Sequence, residues 1–241
     1  MIRTIIWAVL AALELLIYFP AVLIAWFFRD KEYGAGASPV PVFFVKLFAP
    51  LMARLAGVTV ERTGEENLPD KNVPAMFAGN HQGNFDALIA LMYLGEMKPL
   101  LIKSQLKKLP VANLYMDLLG CVPIDRQDIR QSLTALKKIS AKLENGHSVV
   151  IFPEGTRSKG PEMGEFKPGA FKPAVKNKAL IVPFAIDGSY KCLEEKGKLA
   201  KATIKVSILP SITPEEYEGM NTTEISELVK TRISEELRRM R

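Results

Sequence analysis

The residues best suited to proton-transfer chemistry lie in the segment 80–86, Asn-His-Gln-Gly-Asn-Phe-Asp, which contains one of the two histidines of the chain. Asp86 stands five residues after His81, and a carboxylate within reach of the imidazole accepts the N–H of one ring nitrogen. The tautomer is then fixed, and the other ring nitrogen is left to act as a general base. The spacing equally fits a simpler alternative, a helix-capping aspartate beside a hydrogen-bonded loop histidine.

The flanking sequence places this pair in a loop between a strand and a helix. Residues 73–78 predict a short buried strand, and residues 87–94 are apolar enough for a packed helix with Asn84 as its N-cap. His81 is then expected in the loop and Asp86 in the first helical turn. Ligands of open α/β sheets bind at the carboxyl ends of strands, so a functional site is expected here.

A second polar segment, residues 152–158, follows the predicted strand 149–152. In it Gly155 lets a ligand approach the backbone closely, and Arg157 offers a planar fork that suits a phosphate. Glu154 can orient that fork or bind a hydroxyl. The alternative is a surface turn with a weak Glu–Arg ion pair.

Two further cations stand at predicted strand ends. Lys103 closes the strand 100–103, and Arg126 ends the segment 120–126. If the sheet is parallel, both meet the histidine and Arg157 at one edge, where they suit a phosphate-bearing substrate. Solvated side chains at strand ends are the common alternative.

Composition narrows the classes of partner. The net charge of +6, with an isoelectric point near 9.2, favours an anionic partner such as nucleic acid, a phosphate ester or anionic lipid. The basic residues are not interleaved with aromatic ones, so nucleic acid is not expected. With two histidines and two cysteines, neither a metal site nor a disulfide framework is predicted. Pro161 stands where a P-loop needs lysine, which excludes a P-loop NTPase.

The N-terminus is strongly apolar over residues 5–28, interrupted by Glu14 and Pro20. A helix of this length rises roughly 1.5 Å per residue, enough to cross a bilayer core of about 30 Å. Residues 35–37 resemble a signal-peptide cleavage site, but the charged residues 29–32 separate them from a run that is already long. We therefore expect no cleavage.

A second apolar segment, residues 42–56, has large side chains at helical spacing together with Lys46 and Arg54. This pattern is typical of interfacial membrane helices, although a helix docked on a soluble core has it too. We predict a membrane-embedded helical hairpin over residues 1–57, either within one leaflet or as one span and a surface helix. An α/β domain is predicted over residues 58–241.

Within that domain, predicted strands alternate with predicted helices. The strands are expected over 59–62, 73–78, 100–103, 122–124, 149–152, 180–186 and 203–209. Beyond residue 94, a helix is expected over 109–119. A second is expected from the helical spacing of Ile129, Leu133, Leu136, Ile139 and Leu143. The last is expected to begin at an Asn221–Glu224 cap and to bury Ile225, Leu228, Val229, Ile233 and Leu237. This order predicts an α/β fold with a largely parallel (mixed) sheet covered by helices on both faces.

Four segments in order, residues 80–86, 120–126, 152–158 and 182–184, resemble the blocks of the glycerolipid acyltransferase superfamily, and most of all its bacterial lysophosphatidic acid acyltransferases. The resemblance covers residues 61–209. It implies transfer of a fatty acyl group from acyl-ACP or acyl-CoA to the sn-2 hydroxyl of 1-acylglycerol 3-phosphate. The product is phosphatidic acid for phospholipid biosynthesis. No cofactor beyond the thioester co-substrate, and no metal, is implied.

The same resemblance implies roles for individual residues. His81 is the general base and Asp86 its orienting partner, while Pro183 shapes the site. The implied substrate-binding residues are Lys103, Arg126, Glu154, Gly155, Thr156, Arg157 and Lys167. The loop 166–171 departs from the family pattern because Pro168 replaces a frequent lysine, so no cationic role is expected at that position.

The resemblance also implies a location and partners. The protein is expected at a bacterial inner membrane with its active site at the cytoplasmic face. Its partners would be lysophosphatidate, phosphatidate and an acyl carrier protein or coenzyme A thioester. One alternative keeps the superfamily but changes the acceptor to another lysolipid or glycerol 3-phosphate. A second, from another class, is a non-catalytic lipid-binding protein at the membrane surface.

Overall fold

The computed structural model describes residues 2–28, 38–96, 98–108, 110–125 and 128–241. The helices are α1 (Ile2–Phe27), α2 (Pro39–Leu55), α3 (Phe85–Tyr93), α4 (Pro110–Leu118), α5 (Ile129–Glu144), α6 (Lys172–Asn177) and α7 (Thr222–Met240). The strands are β1 (Val58–Thr63), β2 (Ala75–Gly79), β3 (Leu101–Lys103), β4 (Val122–Ile124), β5 (Val149–Ile151), β6 (Leu180–Asp187) and β7 (Ala202–Ile208). Each predicted strand is present within two residues of its expected limits. Leu109, where the predicted fourth helix would begin, lies outside the described residues.

The main sheet has the strand order β1-β7-β6-β2-β5. Its pairs are parallel except β6 with β7, which is antiparallel. Strands β3 and β4 form a second parallel pair, and a parallel bridge from Leu100 to Val150 joins it to β5. The predicted largely parallel, mixed sheet is confirmed. Strands β2, β3, β4 and β5 therefore end at the same edge.

Helices cover both faces of the main sheet, as predicted. Adjacent residues of β2 point to opposite layers, with Met76 in the core under α5, α6 and α7, and Phe77 in the core under α2 and α3. Both side chains are fully buried. Burial of such a side chain contributes roughly 1.5–3 kcal/mol relative to exposure.

The predicted capping box of the last helix is present. The Asn221 side chain accepts hydrogen bonds from the amides of Thr223 and Glu224, and the Glu224 carboxylate accepts one from the Asn221 amide. The predicted face of α7 is buried at Ile225, Val229, Ile233 and Leu237, with Leu228 partly buried.

The predicted stripe on α5 is wrong at its beginning. Ile129 and Leu133 are 77% and 48% exposed, whereas Ala135, Ile139 and Leu143 are buried. Helical spacing identifies the apolar face of a helix but not the length of that face that meets the core. Here only the later turns of α5 pack against the sheet and α6.

The two N-terminal helices pack against each other, with the rings of Tyr18 and Phe44 stacked 4.0 Å apart. Val22 of α1 packs against Tyr115 and Leu118 of α4. Among the described residues, α1 is the one helix whose length and composition suffice to cross a membrane. The division at residue 57 stays a prediction, and the expectation on cleavage concerns residues 29–37, outside the described residues.

Candidate active site

A cavity of about 490 Å³ opens where four strands end. His81 follows β2, Phe152 follows β5, Lys103 ends β3 and Asp125 follows β4, and each of these residues lines the cavity. Arg157 and Thr156 line it as well, and Leu101, Leu106 and Ile124 add apolar surface. The predicted meeting of His81, Lys103 and Arg157 at one edge is confirmed. Arg126, the fourth residue of that prediction, lies outside the described residues.

The predicted contact between His81 and Asp86 is present. His81 Nδ1 lies 2.7 Å from Asp86 Oδ2, which also accepts a hydrogen bond of 2.8 Å from the Gly83 amide. The Asp86 side chain is fully buried in the first turn of α3, whereas 15% of the His81 side chain is exposed at the cavity. A carboxylate at Nδ1 holds the proton on that nitrogen, so Nε2 is the one available to accept a proton.

One stacking contact, supported by a second ring behind it, fixes the plane of the imidazole. The His81 ring stacks on Phe152 with centroids 4.3 Å apart, and Phe152 meets the edge of Phe184 at 5.9 Å. Phe184 in turn covers Gly79, where a Cβ atom would lie 2.3 Å from the ring. Only glycine leaves room for that ring. Strands β2, β5 and β6 thus jointly set the orientation of the histidine.

The segment 152–158 is tied directly to the histidine loop. The Ser158 amide donates to the His81 carbonyl at 2.7 Å, and Glu154 accepts the amides of His81 at 2.6 Å and Gly164 at 2.9 Å. Burial raises the pKa of the Glu154 carboxyl above its ordinary value, and the two amide donors oppose this shift. Each carboxylate oxygen of Glu154 thus accepts one backbone amide, and the side chain links the His81 loop to the segment around Gly164.

The polar residues around His81 extend the pairing of β2 with β6. The Asn80 side chain donates to the Ile186 carbonyl and accepts from the Ile186 amide, both at 2.8 Å. Gln82 accepts from the Gly188 amide at 2.9 Å and donates to Asp187 at 3.2 Å. These bonds replace the backbone ladder beyond the end of β2, and they keep the histidine loop in register with the sheet.

Arg157 has different partners from those considered in the sequence analysis. Its Nη1 atom donates to Asn84 Oδ1 at 2.5 Å and to Glu194 Oε1 at 3.1 Å, and no described contact joins it to Glu154. Asn84 occupies the predicted N-cap position of α3, but its side chain makes no capping hydrogen bond. The arginine competes for the asparagine oxygen that a cap would use.

Glu194 is the residue that sequence reasoning missed. It lies outside the four motifs, beside Glu195, and nothing in its spacing distinguishes it from an ordinary surface glutamate. Only its 4% side-chain exposure and its contact with Arg157, 37 positions away, mark it out.

The remaining predicted residues lie at or near the same edge. Thr156 and Lys103 are exposed, and the side chain of Lys167 covers Gly155, whose φ is 72°. Pro183 lies inside the sheet opposite Ala78, where its carbonyl accepts the Leu209 amide at 2.9 Å. Within the part of the chain that the structure describes, no group of three or more His, Cys, Asp or Glu side chains is arranged to hold a metal ion.

The fold and the site together define an α/β protein with a carboxylate-held histidine at the carboxyl edge of a mixed sheet. Within that class, the chain belongs to the acyltransferase family, whose family model matches residues 59–187. The family resemblance inferred from the four motifs is thereby confirmed.

Named relatives agree with this assignment. The chain is 36% identical over 147 residues to the chloroplastic 1-acyl-sn-glycerol-3-phosphate acyltransferase of Arabidopsis thaliana, an alignment covering 60% of this chain and 41% of that protein. It is 33% identical over 132 residues to the 1-acyl-sn-glycerol-3-phosphate acyltransferase of Borreliella burgdorferi, covering 55% of this chain and 52% of that protein. The chain thus spans about half of these relatives or less.

A solved structure shares the whole fold. The crystal structure of the 1-acyl-sn-glycerophosphate (LPA) acyltransferase PlsC from Thermotoga maritima superposes with a TM-score of 0.81. The match covers 99% of this chain and 95% of that chain at 22% sequence identity. At this identity the likeness establishes the fold, including the two N-terminal helices.

Proposed function

We propose that the protein transfers a fatty acyl group from an acyl thioester to the sn-2 hydroxyl of 1-acylglycerol 3-phosphate, giving phosphatidic acid for phospholipid biosynthesis. The observation that carries this proposal is the His81–Asp86 pair opening on a cavity that also holds Lys103 and Arg157. Such a site combines a base for a hydroxyl with cations for a phosphate. The names of the relatives support the same reaction.

The chemistry follows from the tautomer. Asp86 keeps the proton on Nδ1 of His81, so Nε2 takes the proton of the sn-2 hydroxyl while that oxygen attacks the thioester carbonyl. The tetrahedral oxyanion then collapses, the C–S bond breaks, and the imidazolium returns its proton to the departing thiolate. No acyl-enzyme is needed, and either acyl-ACP or acyl-CoA serves as the donor.

The two ends of the acceptor meet different parts of the cavity. The phosphate is assigned to Arg157 and Lys103, with Lys167 beside Gly155 at the same edge. Arg126, which lies outside the described residues, is retained as a phosphate ligand on the family resemblance alone. The apolar side chains that line the cavity suit an acyl chain.

We further propose that the enzyme acts at a bacterial inner membrane, with its site at the cytoplasmic face. The exposed large apolar residues of α1 and α2 support membrane contact. Near its start α1 is bound to the domain, since Arg3 donates to the Leu199 carbonyl at 2.6 Å and the Thr4 hydroxyl accepts the Leu199 amide at 3.0 Å. Val22 packs on α4 near its other end. Because α1 contacts the domain at both ends, insertion of this helix into one leaflet is favoured over a helix that crosses the membrane away from the domain.

The test is acyl transfer by purified protein in mixed micelles containing lysophosphatidate and radiolabelled acyl-ACP or acyl-CoA. Wild type should form labelled phosphatidate. The kcat of His81→Ala should be lower by about 10²–10⁴-fold, with the same Tm. His147→Ala is the matched control, because the second histidine lines a different cavity. A folded wild type that is inert with both donors, or an active His81→Ala, would overturn the proposal. Glycerol 3-phosphate and a phosphate-free monoacylglycerol test the choice of acceptor.

A further inference from the structure

We infer that Glu194 is a positioning residue, which holds the guanidinium of Arg157 in the orientation that receives the acceptor phosphate. This inference rests on the proposed function. Among the described residues, both hydrogen bonds of the Arg157 side chain leave from Nη1, one to Asn84 Oδ1 at 2.5 Å and one to Glu194 Oε1 at 3.1 Å. Nε and Nη2 of the same planar group therefore stay available for a phosphate.

Burial shows which side of the pair faces the cavity. The Glu194 side chain is 4% exposed and the Arg157 side chain 34% exposed, so the carboxylate lies behind the arginine. Arg157 lines the cavity, whereas Glu194 does not. A pair with one partner this deeply buried is screened less than a surface ion pair, and removing the carboxylate would leave the guanidinium without its charged support.

The two residues that accept hydrogen bonds from Nη1 also connect Arg157 to the general base. Glu194 Oε1 accepts the amide of Asn84 at 2.8 Å, and Asn84 directly precedes α3, whose first turn carries Asp86. The phosphate ligand and the carboxylate that orients His81 are thus fixed to one helix N-terminus. In 1-acylglycerol 3-phosphate, the phosphate and the reacting hydroxyl are on adjacent carbons. Such an acceptor requires a fixed distance between the Arg157 guanidinium and the His81 imidazole.

The absence of a side chain at Gly83 leaves room for the Glu194 carboxylate. This explains why the motif 80–86 has glycine at a position that takes no part in the proposed reaction. A Cβ atom at Gly83 would lie 2.7 Å from Glu194 Oε2. That oxygen is buried and makes no hydrogen bond to any described residue. An unsatisfied buried carboxylate oxygen costs free energy. Among the described residues, the hydrogen bonds that offset this cost are those accepted by Oε1, from Arg157 Nη1 and from the Asn84 amide.

The experiment is a double-mutant cycle read in steady-state kinetics. In wild-type background, Glu194→Ala should raise the KM for lysophosphatidate by about 10–100-fold, the range of a lost charge-assisted hydrogen bond. The KM for the thioester should stay within about 2-fold of the wild-type value, because the donor does not bind the Arg157 guanidinium. In an Arg157→Ala background, Glu194→Ala should add no further increase. Glu195→Ala, an exposed neighbour, is the matched control.

Two further arms make each outcome decisive. Glu194→Gln keeps a side-chain carbonyl for both hydrogen bonds, so it should recover most of the wild-type KM. If Glu194→Ala does not fold, the cycle is run with Glu194→Gln, whose smaller rise must likewise vanish without Arg157. Effects that multiply in the double variant, or a loss of kcat with the acceptor KM unchanged, would overturn the inference while wild type stays active. An inert wild type would overturn the proposed function as well.

Discussion

The imidazole of His81 lies flat against the ring of Phe152, with centroids 4.3 Å apart and planes inclined by 19°. The two residues are 71 positions apart, and each follows the carboxyl end of a different strand. Asp86 fixes one nitrogen of the imidazole, and Phe152 fixes the plane in which the other nitrogen points. A base that must reach one hydroxyl gains from both restraints.

Replacing Phe152 by leucine should lower kcat about 10-fold, because the imidazole loses the surface that orients its Nε2 atom. The KM for either substrate should change little, since the ring forms no bond to the phosphate. Phe152→Tyr keeps the stacking surface and is the control, and both variants are compared in the micelle assay. A kcat of Phe152→Leu equal to that of wild type would show that Asp86 alone is sufficient.

Replacing Asp86 by asparagine should lower kcat about 10²–10⁴-fold with little loss of folded protein. The amide is nearly the same size as the buried carboxylate, but it no longer holds a proton firmly on Nδ1 of His81. The measurement is kcat together with the thermal unfolding midpoint. Retention of more than about a tenth of the wild-type kcat would contradict the proposed role of the pair.

Lys98 should make stability depend on pH at the opposite end of the sheet. Burial lowers the pKa of its ammonium to about 8, and Nζ lies 4.4 Å from the centroid of the buried Phe77 ring. Because the folded-state pKa lies below the unfolded value of 10.5, the folded state releases this proton first as the pH rises. The stabilisation is complete above 10.5 and is lost as the pH falls through about 8.

The measurement for Lys98 is the free energy of unfolding of wild type minus that of Lys98→Met, between pH 7 and pH 10. This difference should rise with pH by no more than about 3 kcal/mol. Lys71 is an exposed lysine that lines one cavity together with Lys98, and Lys71→Met should run parallel to wild type. Parallel curves for Lys98→Met would mean that its ammonium is not desolvated.

Sequence alone predicted what depends on neighbouring residues and on strand order. The loop that carries His81, the reach of Asp86 to it and the capping box of α7 all arise within a few positions of the chain. Alternating strands and helices fixed a largely parallel sheet, and parallel strands necessarily end at one edge. The meeting of His81, Lys103 and Arg157 followed from that rule.

Only the tertiary structure decided which side chains face one another across that edge. The pairing of Arg157 with Glu194, the stacking of Phe152 on His81 and the exposure of Leu133 join or separate residues by packing. Local spacing carries no information about these contacts, because they depend on how whole elements are placed in the core. The sequence thus determined the family and the loop that carries His81, and the packed structure determined what holds His81 and Arg157 in place.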